Sequence, residues 1–376
     1  MLNVVLKYLK GDRVIWMIVI LLSLFSIVMA YSASSNMAYR LKGGDATSFL
    51  IKHAVILLLG FSVMIYVHNI KYNFLSRISQ LGIWVAGLLL FLTLIFGVNK
   101  GNASRWIMGF QPSDLAKIVL IIYVARILAI KKDDIKTFKG LMPALIPIGA
   151  ICALILPADF STAALLFVSC LVLLHVGGAK LKHLGAVVGI CLAAFSLMLL
   201  INVVVPGMLP RADTWSERVV DFFTGSSEDN YQSTQAQMGI VNGGIINFQP
   251  GGGSIKNDMF SAQSDFVYST IVEEFGAILG GMGLVMLYLI LFYRCLKLTA
   301  QASNKFGAYV AFGLSFTLVL QAMVNMGVGS TLLPVTGQPL PLVSMGGTSI
   351  ILTCISIGII LSISRSVEKS EGGKYA

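Results

Sequence analysis

Along most of this chain apolar residues neither alternate nor recur every three or four positions. They run almost unbroken for about twenty residues at a time. Such runs cover 14–34, 50–68, 78–97, 112–130, 140–157, 159–176, 184–205, 267–293, 306–328 and 344–364. A helix rises about 1.5 Å per residue and a bilayer's hydrocarbon core is about 30 Å thick, so each run matches one crossing. The pattern predicts an all-α polytopic membrane protein of about ten transmembrane helices. The fifth and sixth runs are parted only by Pro157 and Ala158. Eight connectors are short and one is long, 206–263, between helices 7 and 8. It carries Pro206, Pro210, "GSSEDN" and "NGGIINFQPGGGS". Within it, "SERVVDFF" reads as a short interfacial helix and "STQAQMGIV" as a second one, lying on or dipping into the membrane. "PGGGS" lacks the Lys-Ser/Thr that a phosphate-binding loop requires, and reads as a flexible connector. With no internal repeat and no soluble domain, 1–376 reads as a single transmembrane domain.

Composition agrees: 56% of residues are apolar, 12% are charged and mean hydropathy is +0.85. A water-soluble globule of this size cannot bury that much apolar surface. The net charge of +10 matters through its placement. With the N-terminus inside, 17 of the 27 Lys and Arg fall in cytoplasmic segments and eight on the other side. Basic residues stay on the cytoplasmic side, so both termini are expected there. The basic excess then reads as topology and anionic-lipid contact, which argues against a nucleic-acid partner. Lys7, Lys10 and Arg13 before a full-length apolar run fit a signal anchor rather than a cleaved signal peptide. The five cysteines fall in or beside spans, so neither a disulfide nor a metal–thiolate site is expected. The histidines (53, 68, 175, 183) show no metal-ligand spacing.

Four stretches could carry chemistry. "QSDFVYSTIVEEFG" (263–276) sets Asp265, Glu273 and Glu274 at the mouth of an apolar run. Charged groups inside membranes are costly, on the order of 3 kcal/mol on insertion scales, and mark function. Asp265 is expected near the outer surface, as a general base or divalent-metal ligand, or else as a helix-capping carboxylate. Glu273 and Glu274 lie deeper, in a direct role or a buried polar network. "SRWIMGFQPSDLAKIVLIIYVAR" (104–126) opens a helix at Pro112, with "PSD" as cap and first-turn acid and Lys117 inside the span. Lys117 could pair locally with Asp114, or with Asp159 of "PADFSTAALL" (157–166) if spans 4 and 6 touch. Beside Arg105 it could also clamp a pyrophosphate. "NMGVGSTLLPVTGQPLPLVSMGGTSI" (325–350) breaks two spans with prolines and glycines. Irregular backbone at membrane depth must be buried or line a cavity, so an outer re-entrant hairpin over a groove is expected.

These segments, with "YQSTQAQMGIVNGG", resemble in order the signatures of the RodA/FtsW (SEDS) family of lipid-linked peptidoglycan polymerases, from about residue 14 to 365. The resemblance implies a ten-span bundle with a large outer loop between spans 7 and 8. It places the catalytic aspartate on Asp265, the paired glutamates on Glu273 and Glu274, the buried lysine on Lys117, and the acids of two motifs on Asp114 and Asp159. The outer arginine falls on Arg105. The sequence departs from the family where Gln263 replaces a histidine, where the stretch from Trp106 to Gln111 is shortened, and where "SMGGTS" begins at Ser344. Gln263 and Ser344 join Arg105, Lys117, Asp159, Glu273 and Glu274 as candidate substrate contacts. "VTGQPLPLVSMGGTS" looks more like the division branch, FtsW, than the elongation branch.

The implied reaction joins lipid II units at the outer face of the bacterial cytoplasmic membrane. The acceptor's 4-hydroxyl attacks the anomeric carbon, undecaprenyl pyrophosphate leaves, and the centre inverts. Asp265 would serve as base and as a ligand of a divalent cation (Mg or Mn), with no organic cofactor. Implied partners are undecaprenyl-linked glycan, a class B penicillin-binding protein transpeptidase and divisome membrane proteins. The rival from another class is a flippase of the lipid-linked precursor, since intramembrane charges and broken helices also suit a transporter.

Overall fold

The structure, a computed structural model, describes residues 10–33, 47–100, 103–107, 109–131, 134–204, 228–255, 259 and 262–372. Its helices in chain order are α1 (Arg13–Ala33), α2 (Thr47–Asn69), α3 (Asn73–Phe96), α4 (Pro112–Ile130), α5 (Phe138–Ile155), α6 (Phe160–Val176) and α7 (Leu181–Val204). After these come α8 (Glu228–Gly243), α9 (Val267–Phe275), α10 (Gly283–Gln301), α11 (Lys305–Gly329) and α12 (Gly347–Gly372). Eight described helices are long and apolar enough to cross a membrane, counting α9 to α10 as one stretch from Val267 to Gln301. Two further apolar helices sit where the remaining predicted crossings fall. α6 is shorter, at 17 residues, and α4 carries Asp114, Lys117 and Arg126. The chain is an integral membrane protein built from helices, as its apolar runs require: a helix satisfies its own backbone where no water can.

α11 is the hub. It packs against α4, α6, α9, α10 and α12, and α2 lies along much of α12. α7 is peripheral: the most apolar stretch of it is only 6% buried. Large side chains turned outward, such as Trp84 and Phe96, are what a lipid-facing surface demands. At one end Asp12 caps α1 through Val14 N (2.8 Å) and receives Arg294 of α10 at 2.6 Å. The same end ties Gly11 N to Glu368 of α12 (2.8 Å).

Three features depart from the sequence reading. A short antiparallel hairpin, β1 (Val98–Lys100) with β2 (Ala103–Trp106), precedes α4. The single run expected over 267–293 is broken by a π-helical segment, Gly276–Met282, that separates α9 from α10. Gly276 has φ +76°, and a β-carbon there would lie 2.5 Å from Asn247 N, so backbone packing imposes the break. Third, "PSD" does not cap α4. Gln111 is the N-cap residue and makes no side-chain cap bond, while the Ser113 hydroxyl accepts from Gln111 Nε2 (3.2 Å). The "STQAQMGIV" helix is present within α8, and "SERVVDFF" lies outside the described residues.

Between α11 and α12 the chain runs without helix over 330–346, yet Gln338, Leu340, Leu342, Val343 and Ser344 are all buried. This segment turns back into the bundle. Tyr288 of α10 donates to Pro341 O (2.5 Å), Ser26 of α1 to Val343 O (3.1 Å), and Gln321 of α11 to Pro339 O (2.8 Å). The expected re-entrant element is there, stitched to three helices by its carbonyls.

Candidate active site

Asp265 sits in a turn, 262–266, just before α9. Its neighbour Phe266 is the N-cap residue and offers no capping side chain. The turn is fixed through three consecutive carbonyls. Gln263 O accepts from Met345 N (3.0 Å), Ser264 O from Ser344 Oγ (2.8 Å), and Asp265 O from Asn325 Nδ2 (3.1 Å). Two of these donors come from the re-entrant segment and one from α11. Opposite stands Gly337, at φ +71°. A β-carbon at 337 would lie 3.6 Å from Arg105 Nη1 and 3.9 Å from Asp265 Oδ2. The acid and the guanidinium therefore both come within van der Waals reach of one point beside Gly337.

The hairpin presents Arg105. Its Nε donates to Ala158 O (2.9 Å) and its Nη1 lies 3.4 Å from Asp159 Oδ2. Asp159 in turn caps α6, accepting from Thr162 N at 3.0 Å. The arginine side chain keeps 24% of its surface, whereas Asp159 keeps 4%. A small crevice, of roughly the size of a water molecule, opens beside this pair, walled by Leu90, Leu94, Pro112 and Leu154.

Lys117 is placed differently from the expectation that joined it to Asp159. Its ammonium lies 2.7 Å from Asp114 Oδ1, one turn away, and donates to Gln321 Oε1 of α11 (3.1 Å). Spans 4 and 6 do touch, but Asp159 stands at the very start of α6, where the helix cap and Arg105 occupy it. Lys117 and Asp114 also line a separate, mainly apolar crevice with Thr317, Gln321, Leu314 and Leu352. The structure does not bring Lys117 to Arg105 as a shared clamp.

Glu273 and Glu274 hold the long loop. Glu273 Oε1 accepts from Ser254 N (2.8 Å) and Ile255 N (3.2 Å), and Glu274 Oε2 accepts from Gly251 N (2.9 Å). The Ser32 hydroxyl donates to Glu274 Oε1. The "PGGGS" stretch, read from sequence as a flexible connector, is thus the cradle of two buried carboxylates. A β-carbon at Gly253 would fall 2.6 Å from Glu273 Oε2, so a side chain there would push on the Glu273 carboxylate. Gln263 and Ser344 contribute through their backbone carbonyl and hydroxyl to the turn that carries Asp265.

Sequence reasoning passed over four residues: Gln321, Asn325, Gly337 and Gln338. Gln321 and Asn325 stand four apart, on one face of a span read as plain. Two amides in an apolar run were the available signal, since an unpartnered buried polar group costs about 1–3 kcal/mol. Gln338 Nε2 reaches Thr162 Oγ1 of α6 at 2.7 Å, and its carbonyl accepts from Asn325 (2.8 Å).

Among the described residues no three His, Cys, Asp or Glu side chains gather as a metal site. Asp265 faces an arginine, and the nearby Asp159 is engaged by that same arginine. The donor set fits at most a hard cation that takes one protein carboxylate and completes its shell from water and phosphate oxygens, as Mg does.

The chain's sequence matches the FtsW/RodA/SpoVE family, described as cell cycle protein, over residues 12–369. It is 32% identical over 370 residues to a protein of Geobacter sp. (strain M18) named "Probable peptidoglycan glycosyltransferase FtsW", covering 94% of this chain and 96% of that one. Its fold resembles a solved chain described under "Structural coordination of polymerization and crosslinking by a peptidoglycan synthase complex", with TM-score 0.74 and 25% identity over 95% of this chain and 98% of that one. It also resembles the rod shape determining protein RodA of Thermus thermophilus, with TM-score 0.68 and 24% identity over 95% of this chain and 97% of that one.

Proposed function

We propose, from the premise that this chain belongs to the FtsW/RodA/SpoVE family of cell cycle proteins, that Asp265 is the base with which it joins lipid-linked disaccharides into glycan strands. The chain is a peptidoglycan glycosyltransferase, with a division-type role like that of the relatives named FtsW. The observation that carries the assignment of the site is the approach of Asp265 and Arg105 to one point beside Gly337.

Lipid II suits this geometry. Its polyprenyl tail stays in the bilayer, and its head reaches the Asp265 turn. Asp265 takes the proton from the acceptor's 4-hydroxyl as that oxygen attacks the anomeric carbon. The bond to undecaprenyl pyrophosphate breaks on the opposite face, so the centre inverts. Arg105 stabilises the charge that develops on the departing pyrophosphate, and Asp159 holds the guanidinium in place. A Mg or Mn ion held by Asp265 and the phosphate oxygens would supply further charge neutralisation. The reaction then takes place at the outer face of the cytoplasmic membrane, with both termini in the cytoplasm. A class B penicillin-binding protein is the expected transpeptidase partner, within a divisome assembly.

The test is glycan polymerisation by detergent-purified protein with its transpeptidase, wild type against Asp265→Asn. The substitution keeps shape and removes the charge. Loss of a base lowers the rate about 10²–10⁴-fold. A polymerisation rate near wild type would remove Asp265 from the chemistry.

A further inference from the structure

We propose that Asn325 is a positioning residue for this transfer reaction: one buried amide fixes both the backbone of Asp265 and the segment carrying Gly337, which Asp265 and Arg105 both approach. The inference rests on the reading of Asp265 as base. Asn325 is only 1% exposed, in the hub helix α11. Its Nδ2 faces three carbonyl oxygens, those of Gln338 (2.8 Å), Asp265 (3.1 Å) and Ser264 (3.4 Å). Three acceptors at one end of the amide admit only the NH2 group there, so the side chain has one orientation. Its Oδ1, at the other end, accepts from nothing among the described residues. The residue therefore serves its donors, and what they join are two segments far apart in sequence.

Those two segments define the site. One is the turn that carries Asp265. The other includes Gly337, which Asp265 Oδ2 and Arg105 Nη1 both approach. Gln338 is also tied to Thr162 of α6, the helix that Asp159 caps and through which Arg105 is held. Asn325 is thus the link between the acid and the frame of the guanidinium. Gln321, one turn earlier, grips Pro339 O in the same segment and Lys117 on its other side. This gives the buried Lys117 a place in the same framework without contact with substrate.

The experiment measures initial rates across a range of fluorescent lipid-linked disaccharide, with the full chain and its transpeptidase reconstituted in lipid. It compares wild type, Asn325→Ala, the nearly isosteric Asn325→Asp, Asp265→Glu, Asp265→Asn and the double variant Asp265→Glu/Asn325→Ala. Both Asn325 variants should lower kcat about 10- to 100-fold with KM within about threefold, as expected for a displaced reacting group. In Asp265→Glu, whose carboxylate is already displaced, removing Asn325 should add little, because the two act through one group. Hydrogen exchange should quicken at 263–267 and 335–345 and stay unchanged in α4 and α6. Additive losses, a KM effect with kcat kept, or exchange raised throughout both single variants would each overturn the proposal in favour of a general structural role. If Asp265→Asn is inactive while Asn325→Ala polymerises normally, only this inference fails. If Asp265→Asn itself polymerises normally, the underlying reading of the site fails, and this one with it.

Discussion

Among the described residues, the buried charges of Lys117 and Asp114 are paired with each other. Lys117 keeps 9% of its side-chain surface and Asp114 8%, and the two are 2.7 Å apart. Removing one partner strands the other in an apolar bundle, which typically costs about 3–5 kcal/mol. Lys117→Met should therefore sharply lower thermal stability in detergent, while Lys136→Ala, in an exposed turn, should stay within about 0.5 kcal/mol of wild type. The double change Asp114→Leu/Lys117→Met should recover part of the loss, because no uncompensated charge remains. A double variant as unstable as the single one would show that Gln321, not Asp114, is the partner that matters. Asp265 and Arg105 are placed differently: both come within van der Waals reach of one point beside Gly337, and Arg105 is also paired with Asp159.

At the scale of elements, glycine placement separates the broken helix from the continuous ones. Gly276 combines φ +76° with a close approach of Asn247 N, while Gly149, inside α5, would meet nothing within 4 Å. Gly149→Ala should be neutral or slightly stabilising, by up to about 1 kcal/mol from helix propensity. Gly276→Ala should instead detach the 244–249 segment from the π segment. The bonds at stake are Ala277 N to Gly244 O (3.0 Å) and Ile278 N to Ile245 O (3.1 Å). Limited proteolysis at 244–249 reads the difference: equal resistance of the two variants would mean the π segment does not depend on the glycine. The 244–249 segment leads into the glycines that cradle Glu273 and Glu274. The long loop is therefore anchored to the helix that follows Asp265, and that anchoring couples the loop to the site.

For the whole molecule, the asymmetry of Lys and Arg predicts that α8 and the C-terminal end of α12 lie on opposite sides of the membrane. Thr234 in α8 and Lys369 in α12 are both exposed. In a Cys191→Ser background, Thr234→Cys should react with an impermeant thiol reagent added outside intact cells. Lys369→Cys should react only after the membrane is opened. Reaction of both from the same side would reverse the assignment of faces. The background change is needed because Cys191 is exposed, whereas the other four cysteines are buried.

The sequence by itself determined that this is a helical membrane protein, roughly where its helices run, and which acid to suspect. Apolar runs of bilayer length are a local property, and Asp265 stood out because carboxylates are scarce in such runs. Local chemistry also brought the Asp114–Lys117 pair within view, since it spans one helical turn. Only the tertiary structure decided which charges meet. Asp159 chose Arg105 over Lys117 because the hairpin before α4, too short to show as a pattern, delivers the guanidinium to the start of α6. Gly337 and Asn325 are ordinary residues in sequence and acquire meaning only when residues 265, 325 and 338 are folded together. The cradle of Glu273 and Glu274 came from a stretch whose glycines read as slack. Glycine allows close approach and flexibility alike, and the carboxylates packed against it decide which of the two is used.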